Sequence, residues 1–260
     1  CEFMRRLLPR RMQIIEEINR RFLSDVATKW PGDADRQRRM SIIGPHGEVR
    51  MAYLAIVGSY SVNGVAELHS RLLKEGMFHD FYEFWPHKFN NKTNGVTQRR
   101  WLAAANPGLR ELLNKTLGEG WVTDLSQLAQ LERQVKNKAF RKRWVEIKRE
   151  NKQRLAGLIE REVGVKVSPD SLFDVQVKRI HEYKRQLLNA LHIIHLYARI
   201  KRGDTQNWTD RVVIFGGKAA PGYFMAKKTI KLINNIAKVV NNDPDVGDKL
   251  KVAFIPNYGV

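Results

Sequence analysis

Cysteine is almost absent from this chain, since Cys1 is the only one among its 260 residues. A single cysteine can form neither an internal disulfide nor a cysteine-based metal site, which agrees with a reducing compartment. Long apolar runs are also missing: no stretch of about 18 consecutive apolar residues occurs, and the N-terminus lacks the apolar core of a secretory signal. We therefore expect a soluble, globular, intracellular protein without a membrane span, and we predict no metal site.

Acidic residues are scarce relative to basic ones. The chain has 27 aspartates and glutamates against 46 lysines and arginines, which gives a formal net charge of +19. Such a field attracts polyanions and phosphorylated small molecules alike. Within residues 140–158 many of the cations alternate with apolar residues at helical intervals, and a solvated helix face explains that run better than a nucleic-acid surface. Charge alone leaves two classes open: a phosphate-handling enzyme, and a non-catalytic basic module that binds nucleic acid or another polyanion.

The first part of the chain mixes helical and strand-like patterns. Apolar residues recur at helical intervals over residues 12–30 and 66–75. Between these segments, residues 49–57 (VRMAYLAIV) are rich in apolar and β-branched side chains and predict a buried strand. Residues 84–107 carry turn formers among aromatic and basic residues, and a long loop of this kind is often functional or crosses between domains. Helical patterns then fill residues 107–162.

The last hundred residues follow a β, α, β, α, β succession. Each connecting helix is long enough to be a crossover between parallel strands. The pattern therefore predicts half of a doubly wound α/β sheet. Strands are predicted at 172–180, 212–215 and 250–255, and helices at 184–201 and 221–241.

Cations cluster where the first of these strands ends. Lys178 and Arg179 fall at its carboxyl end, and Lys184 and Arg185 are predicted to begin the following helix. Ligands of open parallel sheets bind outside the carboxyl ends of the strands, but cations are unfavourable at a helix N-terminus unless an anion lies among them. The cluster therefore predicts one or two bound phosphates. The alternative is a solvated turn in which Glu182 offsets part of the charge.

A second strand end favours the phosphate interpretation. Gly216, Gly217 and Lys218 follow the second predicted strand. Gly217 and Gly222 have the spacing of the two P-loop glycines, but Tyr223 stands where a P-loop requires lysine, and no GxGxxG motif occurs. Neither a P-loop nucleoside triphosphatase nor a standard dinucleotide-binding protein is supported, so we expect another kind of phosphate.

Five long sequence words extend in order over nearly the whole chain: SVNGVAELHS (61–70), PHKFNNKTNGVTQRRWL (86–102), QVKRIHEYKRQLLN (176–189), GGKAAPGY (216–223) and NNDPDVGDKLKV (241–252). Together they resemble the α-1,4-glucan phosphorylases that act on glycogen, starch and maltodextrin. The resemblance implies an α/β fold, part of a two-domain, Rossmann-like glycosyltransferase of the GT-B type, with the βαβαβ half-sheet at the C-terminal end. It also implies that residues 1–89 end the N-terminal catalytic domain and that residues 90–260 open the cofactor-binding domain.

The implied activity is that of a hexosyltransferase of glycogen metabolism. Inorganic phosphate would cleave terminal α-1,4-glucosyl units from an α-1,4-glucan and release glucose 1-phosphate, with pyridoxal 5′-phosphate as cofactor. The resemblance further implies a homodimeric, allosteric enzyme located in the cytoplasm, or in a plastid if the source is a plant. A further hypothesis is a separate glucan-binding site for regulation or storage. Such a site would need exposed aromatic platforms.

The resemblance assigns catalytic roles to the cations at the first strand end. Lys178 resembles a lysine that contacts the phosphate of pyridoxal 5′-phosphate. Arg179 and Lys184 resemble the cations that hold the substrate phosphate beside it. Their charges would let two phosphates lie in contact, which agrees with the expectation drawn from the strand end itself.

Four further residues receive binding roles from the resemblance. Asn94 resembles an asparagine that hydrogen-bonds the 6-hydroxyl of the glucosyl unit, and Tyr223 an aromatic residue at the mouth of the cleft. Trp101 resembles a tryptophan that lines the cofactor pocket, and Tyr258 resembles a tyrosine close to the cofactor phosphate. Ordinary core packing of Trp101 and helix-start packing of Tyr223 remain open alternatives. Gly259 departs from the pattern, because some members of the family carry an arginine there.

The resemblance also implies that this chain is an excerpt of a longer one, which the start at Cys1 rather than methionine suggests as well. The lysine that forms the Schiff base with the cofactor is expected beyond Val260, and a phosphate loop of the N-terminal domain before Cys1. Strand 250–255 would then be left as an apolar edge, so we expect the isolated chain to be marginally stable and prone to associate.

We predict that the 260-residue chain alone does not catalyse phosphorolysis, because the Schiff-base lysine is expected outside it. The measurement is to mix the purified chain with pyridoxal 5′-phosphate, oligoglucan and phosphate, and to assay glucose 1-phosphate and the imine absorbance. Turnover, or a borohydride-fixed adduct at one specific lysine, would contradict the prediction. Lys218 is then the first candidate for that lysine.

Overall fold

A computed structural model describes residues 2–258, so Cys1, Gly259 and Val260 lie outside the described part. The chain divides into two compact units, Cys1–Val96 and Thr97–Val260. The domain boundary between residues 89 and 90 that the resemblance implies stays a prediction. No helix among the described residues is both long and apolar enough to cross a bilayer.

The first unit is mainly helical. A π-helical turn at Leu73–Met77 and a 3-10 turn at Pro86–Lys88 connect its regular elements. Two short strands, Val62–Gly64 (β1) and Phe89–Asn91 (β2), pair in parallel, with Val62 opposite Phe89. The helices are α1 (Glu2–Leu7), α2 (Pro9–Lys29), α3 (Ala34–Met40), α4 (Met51–Gly58), α5 (Glu67–Leu72) and α6 (His79–Phe84), and the strands are β1 (Val62–Gly64) and β2 (Phe89–Asn91).

An aromatic cluster forms the core of this unit. Phe22 of α2 is buried and stacks on Phe81 of α6 with ring centroids 5.7 Å apart. Phe81 also meets the ring of Tyr53 edge-on, with the centroids 4.8 Å apart. Aromatic pairs in these geometries stabilise a core beyond the area that they bury, so this cluster joins α2, α4 and α6.

The predicted strand at residues 49–57 is wrong, because α4 occupies Met51–Gly58. A continuous apolar run has no period that separates a buried strand from a buried helix. Here the Arg50 carbonyl accepts hydrogen bonds from the N–H groups of Tyr53 and Leu54 and opens the helix. Packing of the Tyr53 ring on Phe81 then favours the helical form, which the local sequence does not specify.

The second unit combines a parallel sheet with helices. Before the sheet, the chain forms a π-helical turn at Arg99–Ala104 and 3-10 segments at Gly120–Val122 and Leu125–Gln134. Its helices are α7 (Pro107–Leu117), α8 (Lys138–Val163), α9 (Gln186–Lys201) and α10 (Phe224–Asn242), and its strands are β3 (Leu172–Val177), β4 (Arg211–Gly216) and β5 (Leu250–Ile255).

The sheet has the order β3-β4-β5, and both strand pairs are parallel. Val212 and Ile214 of β4 face α8, where they pack with Ile159. Val213 and Phe215 point to the opposite face and pack with residues of α9 and α10. Helices therefore cover both faces of a parallel sheet, which confirms the mixed α/β class and the predicted β, α, β, α, β succession.

The two edges of the sheet differ in exposure. At β5, the Asn241 side chain accepts from the Val252 N–H at 2.9 Å and donates to the Val252 carbonyl at 2.8 Å. This amide occupies part of the β5 edge, and Val252 itself is buried. On β3, by contrast, Val175 and Val177 are exposed. β5 is an edge strand, as expected, but none of its side chains is exposed, and the exposed apolar side chains lie on the other edge strand, β3.

We predict that Ile193→Ala destabilises the second unit by about 2 to 5 kcal/mol, because Ile193 is fully buried between α9 and the sheet. Its neighbour Ile194 is 42% exposed and provides a matched control. Ile194→Ala should cost less than about 1 kcal/mol, since exposed positions contribute little. Urea unfolding of the two variants measures the difference, and equal losses would contradict the assignment of the core.

Candidate functional site

The loops after β3 and β4 run side by side beyond the ends of their strands. The Lys178 N–H donates to the Gly216 carbonyl at 2.9 Å, and the Ile180 N–H donates to the Lys218 carbonyl at 3.1 Å. These bonds continue the pairing of the sheet by several residues. They bring the backbones of the two basic segments, Lys178–Arg179 and Gly217–Lys218, next to each other.

Two glycines permit this close approach. A Cβ atom on Gly217 would overlap the backbone carbonyl of Lys178, so only glycine fits without a shift of the backbone. A Cβ on Gly216 would lie 3.1 Å from Val177 and 3.4 Å from the Cβ of Tyr258. Tyr258 follows β5 and therefore lies beside the end of β4, so residues after all three strands meet at one edge of the sheet.

The cations at this edge have no acidic partners. Among the described residues, none of them forms an ion pair, whereas Arg199, Lys201 and Arg211 elsewhere in the same unit each pair with aspartate. The Lys184 ammonium lies 5.6 Å from the centroid of the Tyr183 ring. Unpaired cations in close proximity repel one another, and a bound anion would reverse that balance. The unpaired cations are Lys178, Arg179, Lys184, Arg185 and Lys218.

Glu182, the carboxylate within this loop, is engaged elsewhere. Its Oε2 accepts a hydrogen bond of 2.5 Å from the Tyr223 hydroxyl, which in turn accepts from the Glu182 N–H at 3.3 Å. The hydrogen bond to the carboxylate raises the pKa of Tyr223. His181 lies between two tyrosines, with its ring 5.0 Å from that of Tyr223 and 4.5 Å from that of Tyr183. Glu182 thus bonds to Tyr223 and forms no ion pair with these cations among the described residues, while the loop itself is exposed, so the solvated turn stays an alternative.

The start of α9 differs from the sequence prediction. Residues Glu182–Lys184 form a 3-10 turn, Arg185 adopts the left-handed conformation with φ of 61°, and the helix begins at Gln186. Lys184 and Arg185 therefore precede the helix instead of forming its first turn. Few non-glycine residues adopt a positive φ, and those that do are held by surrounding contacts.

Two glutamines that the sequence analysis overlooked supply such contacts. Gln186 is 1% exposed and donates to the Arg179 carbonyl at 3.2 Å. Gln176 of β3 donates to the Lys184 carbonyl at 3.1 Å. Both glutamines lie inside the word QVKRIHEYKRQLLN, but neither their residue type nor their spacing indicates a role. Their contacts with the loop carbonyls become apparent only in the folded structure.

The predicted site residues are only partly brought together. Lys178, Arg179 and Lys184 lie in the loop after β3, while Tyr223 bonds to that loop and Tyr258 lies beside Gly216. Trp101, also in the second unit, is 48% exposed on the π-helical turn. No hydrogen bond or ring contact within residues 2–258 joins it to the strand ends. Its role as a cofactor contact stays a prediction, as do the cofactor and substrate roles of the strand-end residues.

Asn94 belongs to the first unit. Its side chain is exposed, and its N–H donates to the Val65 carbonyl at 2.9 Å. The exposed amide is free to bind a hydroxyl group, since no side-chain hydrogen bond of Asn94 occurs among the described residues. Its predicted contact with a glucosyl unit stays a prediction.

The strand-end residues fit a phosphate-bearing cofactor. Among the described residues the cations there have no acidic partners, and the glycines let the loops after β3 and β4 lie close together. Lysine and arginine are the residues that bind phosphate by charge-assisted hydrogen bonds.

We predict that Glu182→Gln lowers the pKa of Tyr223 towards its ordinary value of 10.0, because the neutral amide stabilises the phenol less than the carboxylate does. NMR titration of ring-labelled tyrosine measures the pKa, and Tyr223→Phe assigns the signal. Glu132→Gln, a change at an exposed and distant carboxylate, serves as the control and should leave the signal unchanged. An unaltered Tyr223 titration in Glu182→Gln would show that the bond does not form in solution.

Comparison with known proteins finds similarity along the whole chain. The family model for carbohydrate phosphorylases matches residues 1–260. A glycogen phosphorylase of Synechocystis is 58% identical over 256 residues, which cover 98% of this chain and 30% of that protein. The muscle form of glycogen phosphorylase from Mus musculus is 56% identical over 259 residues, 99% of this chain and 31% of that protein. The chain thus spans about 30% of the length of these relatives. It belongs to the carbohydrate phosphorylase family.

Proposed function

We propose that this chain provides the phosphate-binding part of an α-1,4-glucan phosphorylase, within a GT-B arrangement of two Rossmann-like domains. The observation that carries the proposal is the group of cations on the adjoining ends of β3 and β4, which have no acidic partners among the described residues, beside glycines that let the two loops approach each other. The names of the relatives support the same activity. Glycogen or a related glucan, inorganic phosphate and glucose 1-phosphate are the proposed reactants, and the proposed enzyme is a cytoplasmic homodimer.

Pyridoxal 5′-phosphate is the proposed cofactor, with Lys178, Tyr258 and Trp101 as the residues of this chain that would hold it. When bound, it would supply a second phosphate group that exchanges a proton with the substrate phosphate. Two phosphates repel each other strongly, so they can share a site only where cations compensate their charge. Lys178 would serve this purpose for the cofactor, while Arg179 and Lys184 would serve it for the substrate.

Arg179 and Lys184 would hold inorganic phosphate against the glycosidic bond. A proton from that phosphate would pass to the glycosidic oxygen as the bond to the glucosyl C1 breaks, and a phosphate oxygen would then bond to C1 with retention of configuration. Asn94 would orient the glucosyl unit through its 6-hydroxyl, and Tyr223 would lie at the cleft mouth. This chemistry needs no pair of catalytic carboxylates, unlike glycoside hydrolysis, and depends on positioning and electrostatic preorganisation.

We predict that Arg179→Ala and Lys184→Ala each lower kcat/KM for phosphorolysis by roughly 10- to 150-fold, because each removes a charge-assisted hydrogen bond to phosphate. The assay uses a chimera in which this chain replaces the matching segment of the Synechocystis relative. Arg202→Ala and Lys249→Ala remove exposed cations at the opposite end of the sheet and serve as controls. Full activity in the two site variants would refute the assignment, and an inactive chimera without substitutions would refute the proposed function.

A further inference from the structure

The loop between β3 and α9 is held at two points by carboxamide groups. Gln186 donates to the backbone carbonyl of Arg179 at 3.2 Å, and Gln176 donates to the backbone carbonyl of Lys184 at 3.1 Å. These are the two residues proposed to bind the substrate phosphate. Each of these cations thus has its own backbone carbonyl fixed by a glutamine.

A second partner fixes the orientation of each glutamine. The Gln186 side-chain oxygen accepts from the His181 N–H at 3.3 Å, and the Gln176 side-chain oxygen accepts from the Asn189 side chain at 2.9 Å. Gln176 lies on β3 and Gln186 is the first residue of α9, so both amides project from rigid elements. Sites held by such second contacts keep their geometry better than sites that depend on the loop alone.

The loop needs this support for two physical reasons. Its cations repel one another in the absence of an anion, and Arg185 sits in the left-handed region next to Lys184. A loop with these features would relax to a more open form if nothing held it. The two amides bond to the backbone carbonyls of Arg179 and Lys184. These bonds set the distance between the two residues.

We propose that Gln176 and Gln186 are positioning residues that hold Arg179 and Lys184 at the spacing an inorganic phosphate requires. The inference rests on the proposed function, which assigns the phosphate to these two cations. The glutamines bond to the loop backbone and act through the two carbonyls.

Limited proteolysis of the 260-residue chain tests the support of the loop without any need for activity. Trypsin cleaves after arginine and lysine, so it reports on the opening of the loop at Arg179 and Lys184. We expect Gln176→Met and Gln186→Met to speed cleavage at these residues several-fold and to weaken the protection that inorganic phosphate gives. Gln206→Met, at an exposed position before β4, is the matched control and should leave cleavage unchanged.

Steady-state kinetics of the chimera test the consequence for phosphate. Each methionine variant at positions 176 and 186 should raise KM for phosphate on the order of tenfold, the equivalent of one hydrogen bond, while KM for glucan stays unchanged. If the two glutamines only stabilised the fold, the methionine variants would be less stable and both KM values would change alike.

The outcomes separate the two proposals. Faster loop cleavage together with a selective rise in KM for phosphate supports the positioning role. Unchanged cleavage in both methionine variants, or equal changes in the two KM values, overturns it even if the chimera is active. Inactivity of the unsubstituted chimera refutes the proposed function, and phosphate protection of the loop in the 260-residue chain then decides the positioning role by itself.

Discussion

The close approach of Gly217 to the backbone of Lys178 is the constraint on which the site depends. Because a Cβ at this position would overlap the Lys178 carbonyl, only glycine lets the chain continue its pairing after β3 and β4 have ended. That pairing places Lys178 and Lys218 on neighbouring backbones. A parallel sheet brings the carboxyl ends of its strands to one edge, and the glycine extends this property from the strands to their loops.

The electrostatics of the loop follow from the same arrangement. The Glu182 carboxylate is held by the Tyr223 hydroxyl from the loop after β4, so the two loops are joined by a hydrogen bond as well as by backbone pairing. Glu182 is the acidic residue within the loop, and among the described residues it forms no ion pair with Arg179 or Lys184. The loop therefore retains positive charge, and a bound anion would form charge-assisted hydrogen bonds with it.

The sequence predicted the sheet well where the local pattern and the packing agree. Strand β5 has the predicted bounds, since apolar residues there are bounded by turn formers on both sides. The error at residues 49–57 arose where an apolar run lacks a period and tertiary packing of Tyr53 decides. Helix α9 starts later than predicted because Arg185 adopts a positive φ, which no hydrophobic pattern reveals.

The candidate site could be predicted from the sequence about as well as the sheet. The rule for parallel sheets indicates the strand-end cations from sequence alone, because it requires only the order of strands and helices. Gln176 and Gln186 could not be found in this way, since a polar residue on a strand and another at a helix start are ordinary features. Their role depends on which carbonyls they contact, and that is a property of the folded loop.

The net charge of +19 is a weaker guide to function than the pairing of individual charges. On α8, Arg143 pairs with Glu146 and Glu150, and Arg149 pairs with Asp170. Such exposed pairs contribute little stability, but they leave less charge available to a ligand. Within residues 2–258, the cations after β3 and β4 have no such partners. Composition gives both groups the same weight, whereas the structure places the cations after β3 and β4 on adjoining loops, which is the arrangement that the proposed phosphate site requires.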